Sequence, residues 1–249
     1  MLAEQRREEI LKIVKDRKTI SVPELCTLLN SSESTIRRDL VLLDRQNRLV
    51  RLHGGAALPE KQFVMKDELF ADKYELMSEE KQMIGKAAAG LIRPNAFVYI
   101  DAGTTTERLV DCISEKNAVY VTNSIGHARK LLYKGLRVIL PGGELKEKTE
   151  AMVGADTVDA IRKFHFTIGF WGVNGLNREI GYTTPEMNEA VVKKISMEQT
   201  AERYVLADRS KFSLVSPVTF GDFEDAVIIT DSLPDQSYAD CGNIRIAGG

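Results

Sequence analysis

Two rhythms of apolar and polar positions run along the chain, and one gives way to the other near residue 84. In the first stretch, apolar residues recur at helical spacing. Leu2, Ala3, Ile10, Leu11, Ile13 and Val14 predict a helix over roughly 3–16. Ser21-Val22-Pro23-Glu24 then joins a capping serine, an early proline and a glutamate three residues after the cap, which is a helix-start signature. That second helix is short and ends by Asn30. Ser31-Ser32 caps a third helix over about 33–45, in which Ile36, Leu40 and Leu43 share the core face. Ser34, Thr35, Arg37 and Arg38 lie off that face. Asn47 stands where the helix must stop, and Asn tolerates the left-handed conformation used there. The short runs 49–52 and 56–58 flank His53-Gly54-Gly55 and predict a two-stranded wing.

Residues 59–84 read as a connector, partly helical, with Phe63, Met65, Leu69, Phe70 and Tyr74 among mixed charges. From Ile84 onward, strands alternate with helices. Strands are predicted at 97–101, 119–122, 137–140, 166–170, 204–207, 227–230 and 243–246. Helices are predicted from the turn after residue 103 to about 115, at 126–133 and at 186–202. Strands this apolar, separated by helices, indicate a parallel sheet covered on both faces, an α/β fold. The predicted organisation is a head at 1–58, a connector at 59–84 and a body at 85–249.

Charge sharpens this division. Residues 1–58 hold 11 basic and 8 acidic side chains, a net of +3, whereas the whole chain of 249 residues is at −2. A basic head on an acidic body points to a phosphate-facing module joined to something that is not one. With 43% hydrophobic and 28% charged residues the composition is that of a globular protein. No apolar run approaches the length of a membrane span, and residues 1–12 lack the apolar core of a signal peptide. Cys26, Cys112 and Cys241 are scattered, which suits a reducing cytoplasm and argues against a disulfide frame or a metal site.

The candidate chemistry falls in two places. In the head, a helix with a polar, doubly basic front beside a basic hairpin is the arrangement that holds a DNA groove and braces against phosphates. Ser32, Ser34, Thr35, Arg37, Arg38 and Arg51 are its candidate contacts, unless Arg37-Arg38-Asp39 is simply a solvated helix face. His53 either reaches DNA or packs in the hairpin. In the body, Asp101-Ala-Gly-Thr-Thr-Thr106 follows a strand and opens a helix. Backbone N–H groups there, with Thr hydroxyls, form an anion cradle unless the turn is an ordinary one capped by Thr. Further polar turns after other strands converge on one crevice of a parallel sheet, where ligands bind. Trp171 and Phe170, beside Gly172, read as core or as a pocket wall. Glu189 and Lys193, one helical turn apart, read either as weaker candidates for that crevice or as a surface ion pair.

Leu2-Ala-Glu-Gln-Arg-Arg7, Thr35-Ile-Arg-Arg-Asp-Leu40 and Arg51-Leu-His-Gly-Gly-Ala56 resemble the DeoR family of bacterial transcription regulators. The resemblance covers nearly the whole chain and places the helix-turn-helix at about 20–39. Asn47 departs from the glycine common in the family. The resemblance implies a winged helix-turn-helix that binds operator DNA, a sensor similar in fold to ribose-5-phosphate isomerase, a phosphorylated sugar as effector, and a homo-oligomer without cofactor or metal. It further implies that Gly103, Thr104, Thr105 and Thr106 hold the phosphate. Asp101, Asn123, Gly142, Gly143, Asn174, Asp208 and Lys211 then line the sugar. The rival reading is a sugar-phosphate isomerase with a fused DNA-binding head, using Asp101, Glu144 and Lys211 as acid–base groups.

Overall fold

The computed structural model describes residues 3–17, 19–45, 48–52, 54–57, 62–63 and 76–248. The chain divides into two compact units, residues 1–62 and 63–249. His53, Asn47 and most of the connector, residues 58–61 and 64–75, lie outside the described residues.

The first unit begins with helix α1 (Ala3–Arg17), strand β1 (Thr19–Ser21), helix α2 (Val22–Leu29) and helix α3 (Glu33–Arg45). Strands β2 (Val50–Leu52) and β3 (Gly55–Ala57) complete it. The apolar positions converge as the periodicity predicts: Ile10, Val14, Leu25, Ile36, Leu40, Leu43 and Leu49 are buried in one core. Ser21 caps α2 in a reciprocal capping box with Glu24, and Asn30 ends the helix in the left-handed conformation.

Two features differ from the sequence reading. The wing has three strands, because β1 pairs antiparallel with β3 and joins the hairpin to the helices. Gly55 allows this, since a Cβ there would lie 2.3 Å from the Ile20 carbonyl oxygen. In addition, the basic helix front is not all solvated. Asp39 is buried and accepts a 2.6 Å charged hydrogen bond from Arg6 Nε, tying α1 to α3.

In the second unit, helix α4 (Ser78–Ala89) precedes strand β4 (Phe97–Ile100), helix α5 (Thr104–Cys112) and strand β5 (Val119–Thr122). Helix α6 (Ile125–Tyr133), strand β6 (Arg137–Ile139) and a hairpin of β7 (Glu144–Lys146) and β8 (Ala151–Val153) follow. Helix α7 (Ala155–Ile161), strand β9 (Phe166–Gly172), strands β10 (Gly175–Asn177) and β11 (Gly181–Thr184) and helix α8 (Met187–Glu198) come next. Strands β12 (Thr200–Leu206), β13 (Val218–Gly221), β14 (Val227–Thr230) and β15 (Ile244–Ile246) close the chain.

A seven-stranded, wholly parallel sheet runs in the order β15-β14-β12-β9-β4-β5-β6. Its members are the strands that the apolar runs predict. Period-two alternation divides their side chains between two cores. Val98, Ile100, Phe170 and Leu206 face the side that holds α4, α5 and α6, and Tyr99, Trp171, Val205 and Ile228 face the side that holds α7 and α8. Trp171 and Phe170 are fully buried core residues. From β4 the chain winds outward through β5 and β6, then returns to β9 on the other side. The gap between β4 and β9 is therefore the topological switch point.

Here too the structure departs from expectation. The helix read to residue 202 stops at Glu198, because β12 takes Thr200 and Glu202 into the ladder opposite Phe166 and Ile168. A small antiparallel sheet, β10-β11-β13, lies apart from the main sheet. Helix α4 spans the expected boundary at 84, with Ile84, Gly85 and Ala88 buried in the second unit.

Replacing Asp39 by Ala is expected to destabilise the first unit by about 2 kcal/mol, since a charged hydrogen bond is lost and Arg6 is stranded. Urea denaturation followed by circular dichroism of the full chain checks this.

Candidate functional site

The turn after β4 is built to present backbone. Helix α5 starts at Thr104 with Gly103 as its N-cap and without a side-chain cap. The Thr-capped alternative is thus not what forms, and the first N–H groups of α5 have no partner within the helix. Gly103 is extended at φ 168°, so conformation alone does not demand glycine, although a Cβ would come within 3.2 Å of Thr106 Oγ1.

The turn is braced from behind. Asn123 Oδ1 accepts from the Ala102 N–H at 2.9 Å, and Asn123 Nδ2 donates to the Met152 carbonyl at 3.3 Å. Thr106 Oγ1 donates to the Gly103 carbonyl at 2.9 Å. His127 Nε2 lies 3.2 Å from the same carbonyl and donates to it, which fixes the tautomer. His127 is fully buried, and that burial pushes its imidazole down to about 4, keeping it neutral.

A crevice opens at the switch point. It is lined by Gly103, Thr104 and Thr105 from the turn, by Asn174 beyond β9, and by Asp208 and Lys211 beyond β12. Six of the eleven sequence candidates for the effector site are thereby brought together. The other five are not in its lining. Asp101 sits behind it, buried and bonded to Lys193 Nζ and, at 3.3 Å, to the Gly172 N–H. Its carboxyl is raised by burial, against the pull of the Lys193 ammonium. Asn123 and Thr106 spend their side chains on bracing. Gly142 and Gly143 pack on α7 instead: Thr157 Oγ1 donates to the Gly142 carbonyl at 2.8 Å, and Gly143, at φ +143°, has no room for a Cβ beside Thr157. The rival's acid–base set is likewise dispersed, with Glu144 exposed on the hairpin.

Glu189 and Lys193 require a correction. They are buried and line the crevice, and each has a different partner. Lys193 pairs with Asp101 and donates to the Gly172 carbonyl at 3.0 Å. Glu189 Oε1 accepts from Lys146 Nζ at 2.8 Å and from Thr149 Oγ1 at 2.7 Å. Spacing along one helix cannot reveal that the helix faces inward at that end. Lys81 and Thr149 also line the crevice and carried no sequence signal of their own, except that Lys81, Ile84, Gly85 and Ala88 follow one helical stripe.

In the first unit, Ser32, Ser34, Arg37, Arg38 and Arg51 are exposed and Thr35 is half-buried. Ser32 Oγ lies 2.8 Å from Thr35 Oγ1 and 3.4 Å from the Thr35 N–H, so it serves the start of α3. Arg37 is paired at 2.6 Å with Glu33, one turn away, and Arg38 Nε donates to the Ser34 carbonyl at 3.3 Å.

The chain belongs to the DeoR family of transcriptional regulators. Residues 6–62 match the DeoR-like helix-turn-helix domain and residues 76–232 the DeoR C-terminal sensor domain. The HTH-type transcriptional regulator FruR of Bacillus subtilis (strain 168), itself uncharacterized, is 36% identical over 239 residues, spanning 96% of this chain and 94% of that protein. The glycerol-3-phosphate regulon repressor of Escherichia coli (strain K12) is 32% identical, spanning 92% and 91%. Among solved structures, ribose 5-phosphate isomerase A of Methanocaldococcus jannaschii aligns at 12% identity and a TM-score of 0.41, over 55% of each chain. Family membership decides between the regulator and the isomerase in favour of a DNA-binding regulator that is not an enzyme. Among the described residues, no His/Cys/Asp/Glu group is placed to hold a metal, and no helix is long and apolar enough to cross a membrane.

Because His127 is held neutral at about 4 against an ordinary 6.5, its contribution is present above pH 6.5 and is lost as pH falls from 6.5 toward 4. The loss amounts to about 3 kcal/mol. His127→Gln keeps a donor for Gly103 and is expected to flatten that acid limb, as read by urea midpoints between pH 7 and 4.5.

Proposed function

We propose that this chain represses a sugar-utilisation operon and that a phosphorylated sugar, bound at the switch-point crevice, changes its affinity for operator DNA. The observation that carries this reading is the uncapped start of α5, with Gly103, Thr104 and Thr105 lining the crevice. Free N–H groups at a helix start favour an anion, and the helix dipole adds to them. Asn174, Asp208 and Lys211 then offer polar partners to the sugar. Glu189 and Lys193 join that wall, and Asp101, Asn123 and Thr106 act from behind it. The relative from E. coli, named for a glycerol-3-phosphate regulon, supports a small phosphorylated effector.

The α3 front contacts the operator through Ser34, Thr35, Arg37 and Arg38, with Ser32 at its start and Arg51 and His53 on the wing. A head of residues 1–58, joined through a connector at 59–84 to a sensor from 85 onward, acts in the cytoplasm without cofactor. Two copies present two heads to two half-sites. The net charge of the head is only +3, so base readout and pairing supply most of the affinity. Coupling is reciprocal: a sugar phosphate that weakens operator binding binds the DNA-bound form less well by the same factor.

Replacing Thr104 and Thr105 together by Val is expected to remove the response to sugar phosphate while operator affinity stays unchanged, measured by fluorescence anisotropy with and without ligand. Loss of operator binding in a well-folded double variant would refute this division of labour. Arg38→Ala is expected to weaken operator binding by about 1–3 kcal/mol if it reads a base, or to lower the salt slope by about one if it meets a phosphate. A titration across salt concentrations separates the two, and no effect on either removes Arg38 from the interface.

A further inference from the structure

We infer that His127 is a positioning residue for anion binding: it touches no ligand, but through the Gly103 carbonyl it aims and strengthens the Thr104 N–H at the start of α5. The inference rests on the reading above that a phosphate sits there, and adds what sets the strength of the hold.

Three donors meet at the Gly103 carbonyl oxygen. The Glu107 N–H lies at 2.9 Å as the first rung of the helix, Thr106 Oγ1 at 2.9 Å and His127 Nε2 at 3.2 Å. The first two belong to α5 itself. His127 belongs to α6, so its bond fixes this peptide relative to the rest of the unit. In a trans peptide the carbonyl and the N–H of the next residue point in opposite directions. Holding the Gly103 carbonyl from behind therefore turns the Thr104 N–H toward the crevice that Thr104 lines.

The same segment holds the preceding peptide as well, since Asn123 Oδ1 accepts from the Ala102 N–H at 2.9 Å. Ser124, between the two, caps α6 by accepting from the His127 N–H at 3.3 Å. Residues 123–127 thus grip the turn on both sides of Gly103. A hydrogen bond to a carbonyl also polarises its amide, so the N–H on the far side donates more strongly. The path runs from His127 Nε2–H to the Gly103 carbonyl, and from the Thr104 N–H to the anion.

The cost of this histidine points the same way. The ring is fully buried and stands outside the crevice lining, and its Nδ1 has no hydrogen-bond partner among the described residues. A buried acceptor without a donor destabilises, and an aliphatic side chain of similar size would fill the space without that loss. What the imidazole supplies, and an aliphatic side chain cannot, is the bond to Gly103.

NMR of the full chain labelled with 15N-threonine tests this, with inorganic phosphate as the probe. In the free protein, His127→Leu is expected to move the Thr104 nitrogen resonance upfield, and His127→Gln to return it toward the wild-type position. Leu and Gln are close in size and neither has a ring, so their difference reads the hydrogen bond. Phosphate is expected to shift the Thr104 and Thr105 resonances, with affinity about fivefold weaker in His127→Leu and within about twofold of wild type in His127→Gln. Leu131→Ala removes a buried side chain from α6 one turn further on and leaves the donor in place. It is expected to keep phosphate affinity within about twofold, which a merely structural role for His127 would not predict. Thr106→Val removes another donor from the same carbonyl and is expected to weaken phosphate about threefold; it is the variant to read if His127→Leu does not fold. Phosphate affinity unchanged in the variant read, or weakened equally in His127→Gln and Leu131→Ala, overturns the positioning role and leaves the phosphate reading intact. If phosphate shifts neither resonance in the wild-type protein, both fall.

Discussion

The buried contact between Asp101, Lys193 and the Gly172 peptide fixes the geometry of the sensor's crevice. Asp101 Oδ2 accepts from Lys193 and from the Gly172 N–H, and Lys193 donates in turn to the Gly172 carbonyl. Three separate segments are thereby indexed to one point. The turn 103–105 follows Asp101, Asn174 follows Gly172, and Glu189 precedes Lys193 by one turn of α8. Burying two opposite charges gains little net stability over an apolar pair, because desolvation offsets most of the attraction. What it gives here is position. An apolar pair of equal volume would fill the space without specifying which backbone atoms face one another.

Around that point, much of the ordering needed for a ligand is already in place. Asn123, Thr106 and His127 hold the Asp101–Thr104 backbone from behind, and the Lys146 and Thr149 contacts hold Glu189. A site whose donors are immobilised before binding loses less conformational freedom when a ligand arrives. These supporting residues are polar and buried, which makes them resemble ligand contacts in a sequence. Asn123 and Thr106 show the difference: neither lines the crevice, and the hydrogen bonds they make go to backbone groups.

Legibility in the sequence follows the range of the interactions involved. The helices of the head came from local signals, namely the 3.6-residue rhythm and the Ser21–Glu24 capping box. The seven parallel strands came from apolar runs long enough to stand out. Strand β1 gave no such signal. It is three residues long, and it exists because Gly55 admits a close backbone contact from elsewhere in the chain. The β10-β11-β13 sheet was hidden for the same reason. Asp39 reads as part of a charged helix face until Arg6, 33 residues earlier, is seen to reach it. Glu189 and Lys193 read as a surface pair because their separation fits one, while their real partners lie 43 and 92 residues away. The crevice itself was legible through the turns that end parallel strands. Which residues face into it and which stand behind it was not, since that depends on side-chain direction in three dimensions.

Ser21 belongs to two structures at once. It is the last residue of β1, paired with Gly55 of the wing, and it is the N-cap of α2, with Val22 bonded to the Gly54 carbonyl beside it. A residue shared in this way removes a hinge. The wing cannot tilt without pulling on the cap that starts the helix-turn-helix, so the distance between helix and wing is set once, when the unit folds. A head made this way behaves as a gauge of fixed span: it adapts to a DNA site by moving as a whole, and any misfit is taken up by the DNA.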